Sequence, residues 1–354
     1  MAEERRPDRR GERVRPRGGT PQAMRTVSGV KMRICVVGAG AVGGLTGAWF
    51  ARAGHEVCLV ARGAHLEALR RDGLTLLSGG NRSVFSIPAS DDPADFGIQD
   101  AVFVCLKAYS IAAMLPRLKS LVGTETMVVP AINGLPWWYF FKEGGRLDSR
   151  PIDCLDPGGT LLAALDPEHI LGCVVHGSAE VIKPGVVSHN AGGNFIIGEP
   201  DRTKSARAHR LVATMNAAGF EARVAEHIRV DVWTKLIGNL SYNPVAALAL
   251  AHMHEINGNE ALLGLIRAMM QEAMRVAEAY GVRVPMTLDE RIEVARKLGG
   301  AKISMHQDVE KRRPLETDAI LGAVMELARK TGVATPMIDA VHALIAERAK
   351  HLDR

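Results

Sequence analysis

The sequence predicts an α/β domain with a doubly wound parallel sheet, followed by an all-α domain, and three observations support this fold class. In the first half of the chain, short stretches rich in Val and Ile alternate with stretches of helical periodicity, as parallel strands alternate with their connecting helices. A glycine-rich turn at residues 38–43 stands between the first such strand and the first helix. Beyond about residue 226, apolar residues recur with the period of about 3.6 residues that is typical of an α-helix.

Each predicted element rests on its own pattern. Continuous apolar residues predict buried strands, and an Ala-rich stretch predicts the first helix. A helix from about residue 206 and a short strand at 222–225 complete the first domain. Pro244 separates two helices, because proline disfavours a helical residue before it and is accepted as the first residue of a helix. The other predicted strands are Arg33–Val37, Glu56–Val60, 101–106 and 127–132, and the other predicted helices are 42–53, 232–240, 244–252, 262–279, 288–297 and 315–330.

The net charge of +5 is confined to the N-terminal end of the 354-residue chain. Residues 1–31 contain nine Lys or Arg and four Asp or Glu, and they show no apolar periodicity. We interpret them as a disordered basic tail or an appended extension, with a functional basic arm as the alternative. The rest of the chain is formally neutral, which argues against a nucleic-acid partner, and it has no apolar stretch near the ~20 residues that cross a bilayer. We therefore expect a cytoplasmic protein with no membrane partner, and we place its two domains at 32–225 and 226–354.

No metal site is predicted from the cysteines and histidines. The five cysteines form no Cys-x-x-Cys pair, and three of them lie in apolar stretches that predict buried strands. The histidines, including His252 and His254, show no spacing typical of metal ligands. We expect reduced core cysteines, and histidines with structural or solvent-exposed positions.

The glycine-rich turn predicts a dinucleotide site of the Rossmann type. Gly38 permits a tight turn, Gly40 lets the backbone approach a pyrophosphate, and Gly43 lets the helix pack closely on the strand. The N-terminus of the following helix would receive the phosphates. The motif has a strand before it and a helix after it, so binding is favoured over a merely structural turn. Its residues are Gly38, Ala39, Gly40, Ala41, Val42 and Gly43.

The end of the second strand indicates which dinucleotide is bound. NAD sites have an Asp or Glu here for the ribose hydroxyl, but this chain has no acid and instead has Arg62 about 20 residues after the glycine motif. A guanidinium can hold a 2′-phosphate, which favours NADP, although a solvated loop arginine is the alternative. Lys107, at the end of a later strand, is a second candidate for the same phosphate or an ordinary loop lysine.

Polar residues that could face a substrate occur in three further places. Asn133 follows a strand and is either a turn residue or a site residue. Lys235, Asn239 and Asn243 recur every four residues, which places a cation and two amides on one helix face, where they form either a polar site or an ordinary outer face. Ser304 and Glu316 flank Arg313-Pro314, and Glu316 is expected in the first turn of a helix, where a carboxylate is favoured whatever its function.

Taken in order along the chain, these motifs resemble the ketopantoate reductase (2-dehydropantoate 2-reductase) family. The resemblance extends from about residue 32 to the C-terminus. The most specific parts are the helical-domain motifs, in which both the residue types and their spacings agree. These two motifs are Trp233-x-Lys235-Leu-x-x-Asn239-x-x-x-Asn243-Pro244, and Ser304-Met305-x-Gln307-Asp308 with the later Glu316-x-Asp318.

The resemblance implies NADPH-dependent reduction of the 2-keto group of ketopantoate to (R)-pantoate, a step toward pantothenate and coenzyme A. It implies that NADPH binds between a Rossmann domain and a helical domain. It makes Lys235 the general acid and Glu316 the catalytic carboxylate that engages the distal hydroxyl of the substrate. Asn239, Asn243 and Ser304 are implied to orient the substrate, Asn133 to lie near both nicotinamide and substrate, and Arg62 and Lys107 to hold the 2′-phosphate.

The segment after Asn133-Gly134 departs from the family pattern, because it is longer and contains five consecutive aromatic residues at 137–141. These residues could cap an altered pocket, form a subunit contact or fill the core near the cleft. Because of this segment, the alternative that the protein reduces a different 2-keto or 3-hydroxy acid stays open. A non-catalytic dinucleotide sensor is a more remote alternative, and the amphipathic second domain is compatible with a homodimer.

Overall fold

The computed structural model describes residues 31–352, and it places a five-stranded parallel sheet near the N-terminus. The predicted tail lies outside the described residues except for Lys31, whose ammonium is 2.9 Å from a carboxylate oxygen of Glu56. The elements that build and flank this sheet are β1 Arg33–Val37, α1 Ala41–Arg52, β2 Glu56–Val60, α2 Gly63–Asp72, β3 Leu74–Ser78, β4 Asn81–Phe85, β5 Ala89–Ser90, β6 Ala101–Val104, α3 Ile111–Met114 and β7 Met127–Pro130.

The strand order of the parallel sheet is β5-β2-β1-β6-β7, so the chain turns back at β1 to build the second half of the sheet. Alternate residues of β1 enter two different cores. Ile34 and Val36 pack with residues of α1, whereas Cys35 and Val37 pack with apolar residues on the opposite face. Burial on both faces explains why these strands are continuously apolar. This arrangement confirms the doubly wound sheet expected from the sequence.

A second sheet packs on the outer side of α1, and the sequence analysis did not predict it. The elements that complete this part of the chain are α4 Thr160–Ala164, β8 Gly172–Lys183, β9 Val186–Gly198, α5 Ala206–Ala217 and β10 Glu221–Val224. The sheet has the order β10-β9-β3-β4, and β8 pairs antiparallel with β9. The strand predicted near residue 222 therefore exists, but it joins this second sheet. Glycines and register shifts interrupt the period-two pattern of β8 and β9, which hid the hairpin from pattern analysis.

The remainder of the described chain is helical, which confirms the expected all-α part. Its elements are α6 Ile228–Ala249, α7 Met253–Asn257, α8 Glu260–Ala279, α9 Leu288–Arg296, α10 Ser304–Glu310, a π-helical turn at Asp318–Gly322, α11 Ala323–Thr331 and α12 Pro336–Lys350. No helix within residues 31–352 is long and apolar enough to cross a membrane.

The prediction of two helices separated at Pro244 is wrong, because α6 is one helix of 22 residues with Pro244 inside it. Proline in a helix interior removes one backbone hydrogen bond. The residues around it, from Leu240 to Ala247, are buried, and α6 contacts α8, α10 and α12. Tertiary packing therefore stabilises the helix through the proline, which local sequence preference does not reveal.

The structure corrects the predicted position of Glu316 and bears on the alternatives for the aromatic segment at 137–141. Glu316 lies before the helical segment that starts at Thr317, and not in its first turn as expected. The aromatic segment at 137–141 fills the core: Trp137, Trp138, Tyr139 and Phe140 are each at most 4% exposed. Four of the five aromatic residues are thus core residues, and Phe141 is partly exposed.

Candidate active site

The glycine-rich turn joins β1 to α1 with the geometry that the sequence motif requires. Gly38 has φ +98°, and its N–H donates to the Val60 carbonyl oxygen at 2.9 Å. A Cβ atom at Gly43 would lie 2.0 Å from the Gly38 carbonyl oxygen, so that only glycine allows α1 to start this close to the turn. A Cβ atom at Gly40 would meet no atom within 4 Å. The turn therefore has an open side at the N-terminus of α1, where the first helical N–H groups can bind an anion.

His65 fixes this turn from the side, and the sequence analysis did not predict its position. Its Nδ1 atom accepts a hydrogen bond from the Gly185 N–H at 3.1 Å, so its Nε2 atom carries the proton and donates to the Ala39 carbonyl oxygen at 2.8 Å. Burial lowers the pKa of His65 and favours this neutral form. The side chain thus joins the glycine turn to the second sheet.

The end of β2 carries Arg62, as the sequence indicates. Arg62 precedes α2, and its side chain is exposed. The hydroxyl of Tyr109 lies close enough to be affected by both Arg62 and Lys107: burial raises its pKa, and the two cations oppose that rise. Arg62 and Lys107 follow the carboxyl ends of β2 and β6, the two parallel strands that flank β1.

Lys107 is bound to two carboxylates of the helical part. Its Nζ atom is 2.7 Å from Asp308 and 3.0 Å from Glu316, while the second oxygen of Glu316 accepts from the Ala108 N–H at 3.1 Å. Burial acts to lower the pKa of Lys107, but the two carboxylates outweigh it and the pKa is raised. Glu316 and Asp308 are 6% and 5% exposed. This triad, Lys107–Asp308–Glu316, connects the end of β6 with α10 and the segment before the π-helical turn.

Lys235 projects from α6 toward the end of β7, where its ammonium donates to the side-chain oxygen of Asn133 at 2.7 Å. Burial lowers the pKa of Lys235 to about 8, and the negative charge of Glu316 opposes this effect. A substantial fraction of this lysine can therefore give up its proton near neutral pH, unlike an exposed lysine. A pKa this close to neutral pH is typical of a side chain that donates and accepts a proton during catalysis.

The loop that carries Asn133 is fixed by close backbone contacts. Gly134 has φ +83°, and a Cβ atom there would lie 2.2 Å from the carbonyl oxygen of Ala319. The Leu135 N–H donates to the same carbonyl at 2.8 Å. Ala319 lies in the π-helical turn, so backbone of the loop after β7 contacts backbone of the C-terminal helical part. π-Helical turns occur frequently at functional sites.

Three predicted polar residues of α6 and α10 have side chains that bond to no other described residue. The side chains of Asn239, Asn243 and Ser304 form no hydrogen bond with any residue between 31 and 352. Asn239 lines a small cavity of about 10 Å³ together with Lys235, Cys173 and Gly134. Ser304 is the first residue of α10, and Asn243 is 5% exposed. Their amide and hydroxyl groups are therefore available to hydrogen-bond a ligand or solvent.

The aromatic segment supports the helix that carries Lys235. The guanidinium of Arg229, in the first turn of α6, donates to the carbonyl oxygens of Tyr139 at 2.6 Å and Phe141 at 2.7 Å. The indole N–H of Trp233 donates to the Tyr139 hydroxyl at 2.6 Å. The segment after Asn133 is thus bound to the same helix whose lysine contacts Asn133.

Comparisons with known proteins match nearly the whole described chain. The family model for "Ketopantoate reductase PanE/ApbA" matches residues 34–202, and the model for "Ketopantoate reductase PanE/ApbA C terminal" matches residues 227–349. The chain is also 42% identical over 319 residues to a 2-dehydropantoate 2-reductase from Mesorhizobium japonicum, which covers 90% of this chain and 98% of that relative. The chain belongs to the ketopantoate reductase family.

Solved structures of the ketopantoate reductase family have the same fold. A candidate ketopantoate reductase from Ralstonia solanacearum superposes with a TM-score of 0.86 at 37% identity, covering 91% of this chain and 99% of that one. A PanE/ApbA family ketopantoate reductase from Ralstonia eutropha gives a TM-score of 0.79 at 26% identity, covering 91% of this chain and 100% of that one.

For this member of the ketopantoate reductase family, the sequence predicted the residues but not all of their partners. The structure brings together Lys235 with Asn133, and Lys107 with Glu316. Asp308 was part of a recognised motif, and its contact with Lys107 was not foreseen. No pattern in the sequence indicates which of several carboxylates a lysine 200 residues away will contact.

Proposed function

We propose that the protein reduces the 2-keto group of 2-dehydropantoate (ketopantoate) to (R)-pantoate with NADPH, a step toward pantothenate and coenzyme A. The observation that carries the proposal is the contact between the Lys235 ammonium and Asn133, at the ends of a sheet that also carries the glycine turn. The relative from Mesorhizobium japonicum, named 2-dehydropantoate 2-reductase, supports the same reaction. We assign residues 32–225 to cofactor binding and residues 226–354 to substrate binding and catalysis.

The residues of the turn fit a dinucleotide cofactor. The open side of Gly40 and the free N–H groups at the start of α1 would accept a pyrophosphate, and Gly38 to Gly43 would contact it. When bound, a reduced nicotinamide supplies hydride to the keto carbon. Asn133, at the end of β7, would lie near both the nicotinamide and the substrate.

Lys235 would act on the carbonyl oxygen of the substrate. Its ammonium stabilises the negative charge that develops on this oxygen and then donates a proton to it. The hydrogen bond to Asn133 orients the ammonium while leaving its other protons free. The amides of Asn239 and Asn243 and the hydroxyl of Ser304 would hold the substrate through the hydrogen bonds that the protein leaves unmade.

Glu316 would accept a hydrogen bond from the distal hydroxyl of ketopantoate. One of its oxygens is bound to the Ala108 N–H and the other to Lys107, so the carboxylate is held in place but can exchange a partner. Lys107 would then turn toward the 2′-phosphate of NADPH together with Arg62. The proposal thus gives Lys107 different partners in the free and in the bound protein.

Two glycine variants test the proposed cofactor site. Gly40→Ala should fold with an unchanged melting temperature, because its Cβ meets open space, but it should weaken NADPH binding by blocking close backbone approach. Gly43→Ala should lower the free energy of unfolding by about 2 kcal/mol or more, because the 2.0 Å contact is with backbone that must move. Thermal unfolding with and without NADPH distinguishes the two. Equal NADPH-induced stabilisation of Gly40→Ala and the wild-type protein would contradict the proposed site.

The substrate and the cofactor preference are tested together in a steady-state assay of absorbance loss. We expect ketopantoate to be preferred over a panel of other 2-keto acids, and NADPH over NADH. Arg62→Gln should reduce the NADPH-over-NADH preference by about 10-fold or more, because a charge-assisted contact to the 2′-phosphate is removed. Arg82→Gln, which removes an exposed arginine from β4, is the control. Preference for another keto acid would contradict the assignment of ketopantoate as the substrate, and no turnover of any panel member would contradict the reaction class.

A cytoplasmic location and a homodimer stay predictions.

A further inference from the structure

Arg291 places its guanidinium directly on the helix that carries Lys235. Arg291 is in α9, and its side chain lies against Gly238 of α6. A Cβ atom at Gly238 would be 1.6 Å from Nη2 and 2.2 Å from Cζ of Arg291. Any side chain at position 238 would therefore displace the guanidinium. Glycine in a helix interior is unfavourable relative to alanine, so Gly238 costs helix stability and makes room for a cation.

The guanidinium of Arg291 lacks a counter-ion. It forms no ion pair or side-chain hydrogen bond with any residue between 31 and 352, and its Nη1 atom is buried without a partner. Burial lowers the pKa of Arg291, with the nearby Tyr242 opposing the shift. Neighbouring arginines differ, because Arg267 and Arg296 pair with carboxylates. Leaving a buried charge unpaired is expensive, and a bound anion would remove this cost.

Arg291 contacts α6 close to the position of Lys235. Gly238 follows Lys235 by three residues, which is about 4.5 Å along the helix axis. Desolvation, followed by the positive charges of Lys235, Arg291 and Arg223, lowers the pKa of His176, on β8, to about 4, so both cations act on this histidine. The Arg291 guanidinium therefore lies against α6 less than one helical turn beyond Lys235.

We propose that Arg291 binds the carboxylate of the 2-keto acid substrate. This inference rests on the proposed function and specifies how that site recognises its substrate. A 2-keto acid carries its carboxylate on the carbon next to the carbonyl. A lysine at the carbonyl oxygen and an arginine about one helical turn away match this arrangement. The planar guanidinium can donate two parallel hydrogen bonds to a carboxylate, which also fixes the face that the keto carbon presents.

The test compares ketopantoate with its neutral amide as substrates. Arg291→Gln should raise KM for ketopantoate about 10- to 150-fold with a smaller change in kcat, and it should reduce the preference for the acid over the amide by at least about 10-fold. Arg291→Lys should restore part of this preference, because it keeps the charge. Arg296→Gln, on the same helix but exposed, is the matched control and should behave like the wild-type protein. A folded Arg291→Gln protein with the wild-type acid-over-amide preference would overturn the proposal.

Gly238→Ala provides a second test that leaves Arg291 itself intact. The added Cβ should displace the guanidinium, so we expect the same loss of acid-over-amide preference. Its melting temperature should be equal or higher, since alanine favours the helix. A Gly238→Ala protein that keeps the wild-type preference would contradict the proposed role. A purely structural role for Arg291 predicts lower stability of Arg291→Gln without any change in preference.

A binding measurement separates failure of the carboxylate site from failure of the proposed reaction. If the wild-type protein does not reduce ketopantoate, calorimetric titration of the NADP⁺-bound protein with ketopantoate measures binding alone. Weaker binding to Arg291→Gln than to the wild-type protein, with Arg296→Gln unchanged, would then support the carboxylate site without the reaction. Equal binding to all three proteins, or no binding to the wild-type protein, would overturn the inference.

Discussion

Lys235→Ala is expected to lower kcat/KM for ketopantoate reduction by about 100- to 10,000-fold, the largest effect of any single substitution in this site. The substitution removes the ammonium that stabilises the developing alkoxide and supplies its proton, and water in the remaining space does both less well. The fold should persist, because within residues 31–352 the Lys235 side chain forms one hydrogen bond, to Asn133. Steady-state assays of NADPH absorbance, with NADPH affinity measured separately, give the result.

Lys204→Ala is the matched control for this substitution, because it removes an exposed lysine that pairs with Glu226. It should leave kcat/KM unchanged. A Lys235→Ala protein that keeps more than about a tenth of the wild-type kcat/KM would contradict a general-acid role for Lys235.

Glu316→Gln is expected to give the second largest effect, a fall in kcat/KM of about 100-fold, mainly through KM for ketopantoate. The carboxylate accepts hydrogen bonds from Lys107 and from the Ala108 N–H, and it would accept another from the distal hydroxyl of the substrate. Losing a hydrogen bond to a charged group weakens the bound complex substantially. A substrate that lacks this hydroxyl should lose much less, which can be measured with the same assay.

Asp308→Asn separates substrate binding from support of Lys107. Asp308 contacts the same ammonium but has no bond to Ala108, so its substitution should change KM for ketopantoate less than Glu316→Gln does. Burial raises the pKa of Asp308, and the positive charge of Lys107 opposes this shift. Equal effects of both substitutions on KM would contradict a direct contact between Glu316 and the substrate.

Local patterns allowed the parallel sheet and the glycine turn to be predicted from sequence. β1 and β2 were placed with their observed bounds, because strands buried on both faces are continuously apolar and end at turn residues. The roles of two glycines also follow from the local sequence. Gly38 adopts a positive φ, and position 43 has room for a hydrogen atom but not for a Cβ atom.

Features that depend on tertiary contacts were not predictable in this way. Pro244 is a helix breaker by local preference, yet α6 continues through it because the surrounding residues are buried. The triad of Lys107, Asp308 and Glu316 joins segments about 200 residues apart. The space at Gly238 that admits Arg291 exists only once α6 and α9 pack together. Residue types at a site were thus visible in the sequence, whereas their pairings depended on the fold.

The pH dependence of kcat/KM tests most directly whether Lys235 is the acid. Its pKa is lowered to about 8, so the ammonium is present below this pH and is lost as pH rises through it. The rate of reduction should therefore be level below about pH 8 and fall about tenfold per pH unit above it, since kcat/KM reports the free enzyme. Lys235→Ala should lack this alkaline decline. A wild-type profile that stays level to about pH 10, or a decline that persists in Lys235→Ala, would contradict the proposed mechanism.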